Sequence, residues 1–322
     1  MASYLVRRLL YCVIVLLAVS FISFIGVRAT FDPLAKFATN KDVEAKQREK
    51  VRLGLDKPVI EQYGRFLGNF AQGDWGVSES THESVASMTQ RAMSNTLQLI
   101  IPGVIISVVA AICLGVYSAV KQYSPGDYLF TTLAFIGIAL PPFWFGLMAI
   151  EFLAVQSKTT FHLAQTPFYF VGLHTGDGSS INADYARHLV LPILTLTVQI
   201  IAGWSRFQRA SMLDVLSADY VRTARAKGVP RRRVIFHHAF RNALIPMVTV
   251  MALDIGALFG GLIITEQIFS IPGMGRMFFA ALNTGDAQVL TVWVVVTAAF
   301  VLLFNLIADV AYGFLDPRVR LT

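Results

Sequence analysis

The 322-residue chain is 55% hydrophobic and 15% charged, with a mean hydropathy of +0.59. Soluble domains carry about 25% charged residues, so a water-soluble globule of this composition would expose large apolar patches and aggregate. Aromatic residues at 12% and the lack of a glycine period exclude disordered and collagen-like chains, and the formal charge of +7 has to be read from where its cations fall along a membrane chain, with no nucleic acid expected as a partner.

A bilayer core takes about 20 apolar residues per helix, and six segments meet or approach that length. The first, Leu9–Val27, follows Arg7 and Arg8. It reads as an uncleaved signal-anchor helix, because the apolar run is long and no Ala-x-Ala site follows it. Residues 28–94 then predict an extracytoplasmic loop with a charged, helix-prone run at Lys41–Arg52 and a turn cluster at Gln72-Gly73-Asp74-Trp75-Gly76. The second span, Leu97–Val120, has no charge, and the third, Tyr128–Val155, holds Glu151 and the pair Pro141-Pro142. The fourth, Leu189–Trp204, is short and carries Gln199. The fifth, Ala243–Ile264, carries Asp254, and the sixth, Val289–Ala311, carries Asn305 and Asp309. Residues 1–322 therefore read as a single all-α integral membrane domain with six transmembrane helices.

Six spans place both termini on one side. The segments on that side hold Arg7, Arg8, Lys121, nine basic residues between Arg206 and Arg241, and Arg318 with Arg320. The short segments opposite hold Lys158, Arg187 and Arg276. Ten further cations lie between Arg28 and Arg91, in a loop long enough to cross regardless of charge. The bias puts both termini in the cytoplasm.

Catalytic signatures are missing. No G-x-x-x-x-G-K-[ST], H-E-x-x-H or G-x-S-x-G occurs, so neither ATP binding by a phosphate loop nor hydrolysis is expected of this chain. Cys12 and Cys113 sit in apolar runs and read as small core hydrophobes. His237-His238 has no carboxylate or cysteine cluster beside it, so no metal site is expected. Glu151 and Asp309 lie near helix ends, where snorkelling accounts for them. Asp254 and Gln199 are more central polar residues and are candidates for a translocation path, although a buried structural hydrogen bond explains Asp254 equally well.

The cytoplasmic loop 206–241 is the most informative stretch. Its run Ser217-Ala218-Asp219-Tyr220-Val221-Arg222-Thr223-Ala224-Arg225-Ala226-Lys227-Gly228-Val229-Pro230 predicts a short helix. Ser217 or Asp219 would cap it, and Gly228 with Pro230 would stop it. A second short helical stretch, Arg231–Arg241, leads back to the membrane at Pro246. The positive-inside rule accounts for the charges of this loop but not for the order of its residues.

That order resembles the coupling loop of ABC-importer permeases, most closely the oligopeptide/dipeptide (nickel-peptide) branch. The resemblance rests on Asp219–Gly228 with Arg241-Asn242-Ala243-Leu244-Ile245-Pro246 behind it. Colinear matches run along nearly the whole chain: Tyr4–Arg8, Gly73-Asp74-Trp75-Gly76, Glu266-x-x-Phe269-x-x-Pro272-Gly273-Met274-Gly275-Arg276, and Leu315-Asp316-Pro317-Arg318. Arg222-Thr223-Ala224 stands where many permeases carry Glu-Ala-Ala, a replacement familiar in the peptide branch. The resemblance implies a type I ABC-importer permease fold in a bacterial inner membrane. It implies a homologous second permease, two cytoplasmic ATPase subunits that hold ATP and Mg, an extracytoplasmic substrate-binding protein and a peptide substrate. Asp219, Tyr220, Arg222, Ala224, Arg225, Ala226 and Gly228 would form the ATPase-coupling helix. Glu266, Pro272, Gly273 and Gly275 would belong to an outer gate. The alternative from another class is a stand-alone, ion-driven transporter of a small polar solute, against which stands the lack of a visible inverted repeat.

Overall fold

Two adjacent prolines decide the first departure from a simple row of six spans. The computed structural model describes residues 2–31, 47–48, 50–51, 56–176, 182–260 and 262–315. Most of Lys41–Arg52 and all of Asp316-Pro317-Arg318 lie outside these residues. The described elements are helices: α1 (Ala2–Thr30), α2 (Val59–Ala71), α3 (Val85–Val120), α4 (Pro125–Ala139), α5 (Pro142–Thr160), α6 (Ala183–Ser217), α7 (Asp219–Ala226), α8 (Arg231–Leu258), α9 (Ile263–Ile268), α10 (Met274–Thr284) and α11 (Ala287–Leu315). Helices α1, α3, α6, α8 and α11 are long and apolar enough to cross a bilayer.

The third expected span, Tyr128–Val155, is not one helix. It breaks into α4 and α5, which meet at 105°. Neither Pro141 nor Pro142 can donate an N–H, and the residue before a proline is driven out of the helical region. Leu140 accordingly sits at ψ 124°. Its carbonyl is not orphaned, because Gln199 Nε2 donates to it at 2.6 Å. The fifth span also ends early, at Leu258 where Ile264 was expected. In contrast, the short fourth segment lies inside a 35-residue helix, α6, started by Asn182, whose side chain accepts from Tyr185 N at 2.9 Å.

The chain divides into two compact units. The first comprises Met1–Thr96, Phe259–Ile263 and Pro272–Leu303. Within it, Val59, Tyr63, Phe66 and Phe70 recur at helical spacing and give α2 an aromatic face. Tyr63 meets Phe21 and Phe24 of α1 edge-on, with ring centroids 5.0 and 5.7 Å away, and its hydroxyl donates to the Leu17 carbonyl at 3.0 Å. The turn cluster forms as expected. Gly73 and Gly76 take φ of 85° and 79°, Trp75 stacks on Phe70 at 4.9 Å, and the Gly76 N–H bonds the Asp74 side chain. Gln288 Nε2 donates to the Trp75 carbonyl at 2.8 Å. Buried Asp286 accepts from Ser78 Oγ at 2.6 Å and from Val289 N at 3.2 Å, so one carboxylate caps α11 and holds the loop before α3.

The second unit comprises Leu97–Leu258, Ile264–Ile271 and Phe304–Thr322. There α6 touches α4, α5 and α8. Close approach depends on missing side chains: a Cβ on Gly115 would lie 2.7 Å from Gln208 Cβ, and one on Gly137 would lie 3.0 Å from Ala202. Ala111, Trp204 and Met247 form one buried cluster, and Ala119, Met212, Ile235, Ala239 and Ala243 form another.

Candidate functional site

Helix α7 is held against its own chain by two small apolar side chains. Val221 and Ala224 lie one turn apart and pack with Val234, flanked by Val215 and Val229. Tyr220, Arg222, Thr223, Arg225, Ala226 and Lys227 remain exposed. The two alanines of the expected coupling helix are therefore divided between its faces. Ala224 turns inward and Ala226 outward, because at 3.6 residues per turn positions two apart lie on nearly opposite sides of a helix.

The ends of α7 are set by backbone chemistry. Neither Ser217 nor Asp219 is the cap. Ala218 occupies that position without a side-chain bond, while Ser217 Oγ donates back to the Asp214 carbonyl at 2.8 Å. Asp219 instead stands in the first turn, where its charge favours the N-terminal dipole, and lies 3.6 Å from Arg222. At the other end Gly228 takes φ 77°. Val229 N donates to the Ala224 carbonyl at 3.2 Å and Gly228 N to the Arg225 carbonyl at 3.0 Å. This pair of bonds is a Schellman termination, which makes the exit from α7 rigid.

The stretch after α7 is not a separate short helix. Arg231 opens α8, which runs through a π-helical segment at Val234–Ala239 and past Pro246 to Leu258. Asn242 Nδ2 donates to Tyr220 Oη at 2.9 Å, tying α7 to α8. Ser211 Oγ of α6 donates to the Ala243 carbonyl at 2.8 Å, so the loop is clamped at its membrane end as well.

Residues 111–321 match the family described as binding-protein-dependent transport system inner membrane component, and residues 1–99 match its N-terminal counterpart. The chain belongs to this family. It is 37% identical to the oligopeptide transport system permease protein AppB of Bacillus subtilis, covering 99% of this chain and 100% of the relative. It is 34% identical to the di/tripeptide transport system permease protein DppB of Pseudomonas aeruginosa, over 99% of both. It is also 34% identical to the glutathione transport system permease protein GsiC of Escherichia coli, again over 99% of both. This membrane component is thus a multi-pass inner-membrane protein and a transport subunit, and the stand-alone ion-driven reading falls away.

The polar residues within the spans need an account, and two of them have one. Gln199 satisfies the carbonyl freed at the α4–α5 break. Asp254 Oδ2 accepts from the indole N–H of buried Trp204 at 2.7 Å, yet Asp254 itself is exposed on the surface of the chain. A carboxylate that is both oriented by an indole and uncovered, one turn before the span ends at Leu258, suits a wet or partnered face. Glu151 is likewise exposed, inside the π-helical stretch Ile150–Gln156.

The expected outer-gate residues divide as well. Glu266 is fully buried within the chain. The turn Pro272–Gly275 is anchored inside its unit. Asn95 Nδ2 donates to the Pro272 carbonyl at 3.0 Å, Met274 N donates to Thr96 Oγ1 at 2.8 Å, and Trp293 Nε1 donates to the Met274 carbonyl at 3.0 Å. Pro272 remains exposed while Gly273 and Gly275 are buried. A Cβ on Gly275 would sit 2.6 Å from the Ile263 backbone N and Cα, which cannot rotate away. Gly275→Ala is therefore expected to destabilise the protein by about 1–3 kcal/mol. Thermal unfolding of the detergent-purified variant checks this, and an unchanged midpoint would contradict it.

One ion pair was overlooked in the sequence. Asp127, buried at the start of α4, accepts from Arg209 Nε at 2.8 Å and Nη2 at 2.9 Å, from Tyr123 N at 2.9 Å and from Thr131 Oγ1 at 3.2 Å. A signal for Asp127 existed in Ser124-Pro125-Gly126-Asp127, where Ser124 Oγ caps α4 by accepting from Asp127 N. Arg209 carried none, since it reads as one more cation on the positive side.

Proposed function

We propose that this chain is a permease subunit of an ATP-driven peptide importer, working with a homologous permease, two cytoplasmic ATPases and an extracytoplasmic binding protein. The observation that carries the reading is α7: a short helix rigidly terminated at Gly228, stapled to its own chain by Val221 and Ala224, with its other face uncovered. A helix built this way moves as a lever. Seated in a groove of an ATPase, it transmits closure of that subunit to α6 and α8, the two membrane helices it joins. Tyr220, Arg222 and Ala226 form the docking face, and Asp219, Ala224, Arg225 and Gly228 hold its geometry. ATP and Mg are bound by the ATPases. The peptide class is supported by the relatives, which are named for oligopeptide, di/tripeptide and glutathione transport.

In this reading Asp254 lines the path, where an anionic oxygen set by Trp204 suits a passing ammonium group. Both termini and residues 206–241 face the cytoplasm, and residues 28–94 face outward, as the charge bias requires. Impermeant thiol labelling checks the orientation: Ser84→Cys is expected to react from outside in intact cells and Ser217→Cys only after permeabilisation. Outside labelling of Ser217→Cys would reverse the topology. The function itself is tested by purifying the tagged chain from its native membrane and assaying peptide uptake. Two co-purified ATPases and ATP-dependent uptake are expected; uptake by the lone chain without ATP would overturn the assignment.

A further inference from the structure

The end of α3 and the beginning of α8 enclose a cleft of about 360 Å³, lined by Ile112, Cys113, Val116, Tyr117, Phe236 and Phe240, among other apolar residues. Lys121 closes its end, with Nζ 5.1 Å above the Tyr117 ring. A second cleft, of about 390 Å³, shares Val120 and Ile235 as its wall and is lined on the far side by Arg225 and Arg231 together with Leu216, Val229 and Val234. Neither lining contains an acidic side chain. One wall thus separates a space that only hydrocarbon would fill from a space that offers two guanidinium groups.

We propose that this pair of clefts is a binding site for one anionic phospholipid. An acyl chain occupies the cleft beside Val116 and Phe236, and the phosphate lies among Lys121, Arg225 and Arg231. Three features select this occupant. The apolar cleft opens outward where α3 nears the cytoplasmic surface, since Cys113 and Phe236 are exposed, so the headgroup-proximal part of the bilayer hydrocarbon reaches it. A lysine above a tyrosine ring marks the interfacial level at which headgroups lie. The cations sit on the side of the membrane to which the positive charges of the chain are biased, and no carboxylate in either lining competes for them. A neutral lipid would fill the apolar cleft but leave the guanidinium groups without a counter-ion. Because Arg225 belongs to α7, the bound headgroup would brace α7 against α3, linking bilayer charge to the same helix that is proposed to meet the ATPase. The site does not depend on that meeting, since its walls belong to this chain alone.

The test uses the intact transporter complex in nanodiscs containing equal parts phosphatidylglycerol and phosphatidylcholine, ejected into a mass spectrometer. The wild type is expected to retain phosphatidylglycerol in preference to phosphatidylcholine. Lys121→Gln with Arg231→Gln changes only exposed residues and should lower that preference by about fivefold or more, without loss of assembly. Val116→Trp fills the apolar cleft and should remove the retained lipid altogether. Equal retention of both lipids by the wild type would overturn the proposal, as would an unchanged preference in the Lys121→Gln/Arg231→Gln variant. Retention of no lipid, with Cys113 shielded from maleimide in the complex, would show that a partner subunit covers the cleft instead.

Discussion

Arg209→Met is expected to destabilise the membrane domain by about 3 kcal/mol, because it strands the Asp127 carboxylate. Asp127 has a 3% exposed side chain, and Arg209 supplies both of its charged donors. The remaining donors, Tyr123 N and Thr131 Oγ1, are neutral and cannot balance a buried charge. The pair also holds a strained turn: Tyr123, with φ 62°, is pinned by Asp127 between the end of α3 and the start of α4. Asp127→Asn should be milder, since it keeps an oxygen acceptor and leaves Arg209, a quarter exposed, access to water. The double variant Asp127→Asn/Arg209→Met removes both charges and should recover much of the loss. Thermal unfolding of the four proteins in nanodiscs measures this cycle. Simple addition of the two single effects would show that the pair is not a unit.

Ala226→Trp is expected to reduce ATPase co-purification by about tenfold or more, with transport falling in parallel, while membrane insertion is unchanged. Added volume in a packed helix-in-groove contact costs about 1–3 kcal/mol, and each 1.4 kcal/mol is about tenfold in affinity. Ala226 is the position to enlarge because it is exposed and lies outside the Val221–Ala224–Val234 cluster. Ala224→Trp would drive α7 off Val234 and so report on the loop, not on the docking face. Arg222→Ala should be mild, since its pair with Asp219 is largely exposed and such pairs contribute about 0–1 kcal/mol. Gly228→Ala meets no neighbour within 4 Å, so its effect comes from backbone conformation alone and should be about 1–2 kcal/mol. Normal transport and normal ATPase recovery in Ala226→Trp, at matched membrane expression, would reduce the loop to a positive-inside anchor.

The solvent of this chain, its helical class and the short helix of loop 206–241 were legible in the sequence because each depends on local information. Apolar run length decides which segments can span a bilayer, as for Leu97–Val120 within α3. Glycine at position 228 decides where α7 ends, since few other residues tolerate a positive φ. Pro141 and Pro142 stand inside a segment that reads as one span, and the 105° angle of the break they impose depends on which neighbours pack against the two halves. What the tertiary structure alone decided was partnership across the chain. Gln199 meets Leu140 from 59 positions away, Trp204 meets Asp254 from 50, and Arg209 meets Asp127 from 82. A one-dimensional pattern shows that an intramembrane polar group must be satisfied, but not by which residue, because the partner is set by how helices rotate and pack. The division of Ala224 and Ala226 between two faces of α7 has the same origin. Periodicity places them apart on the helix, and only the packing of Val221 and Ala224 on Val234 says which face is buried.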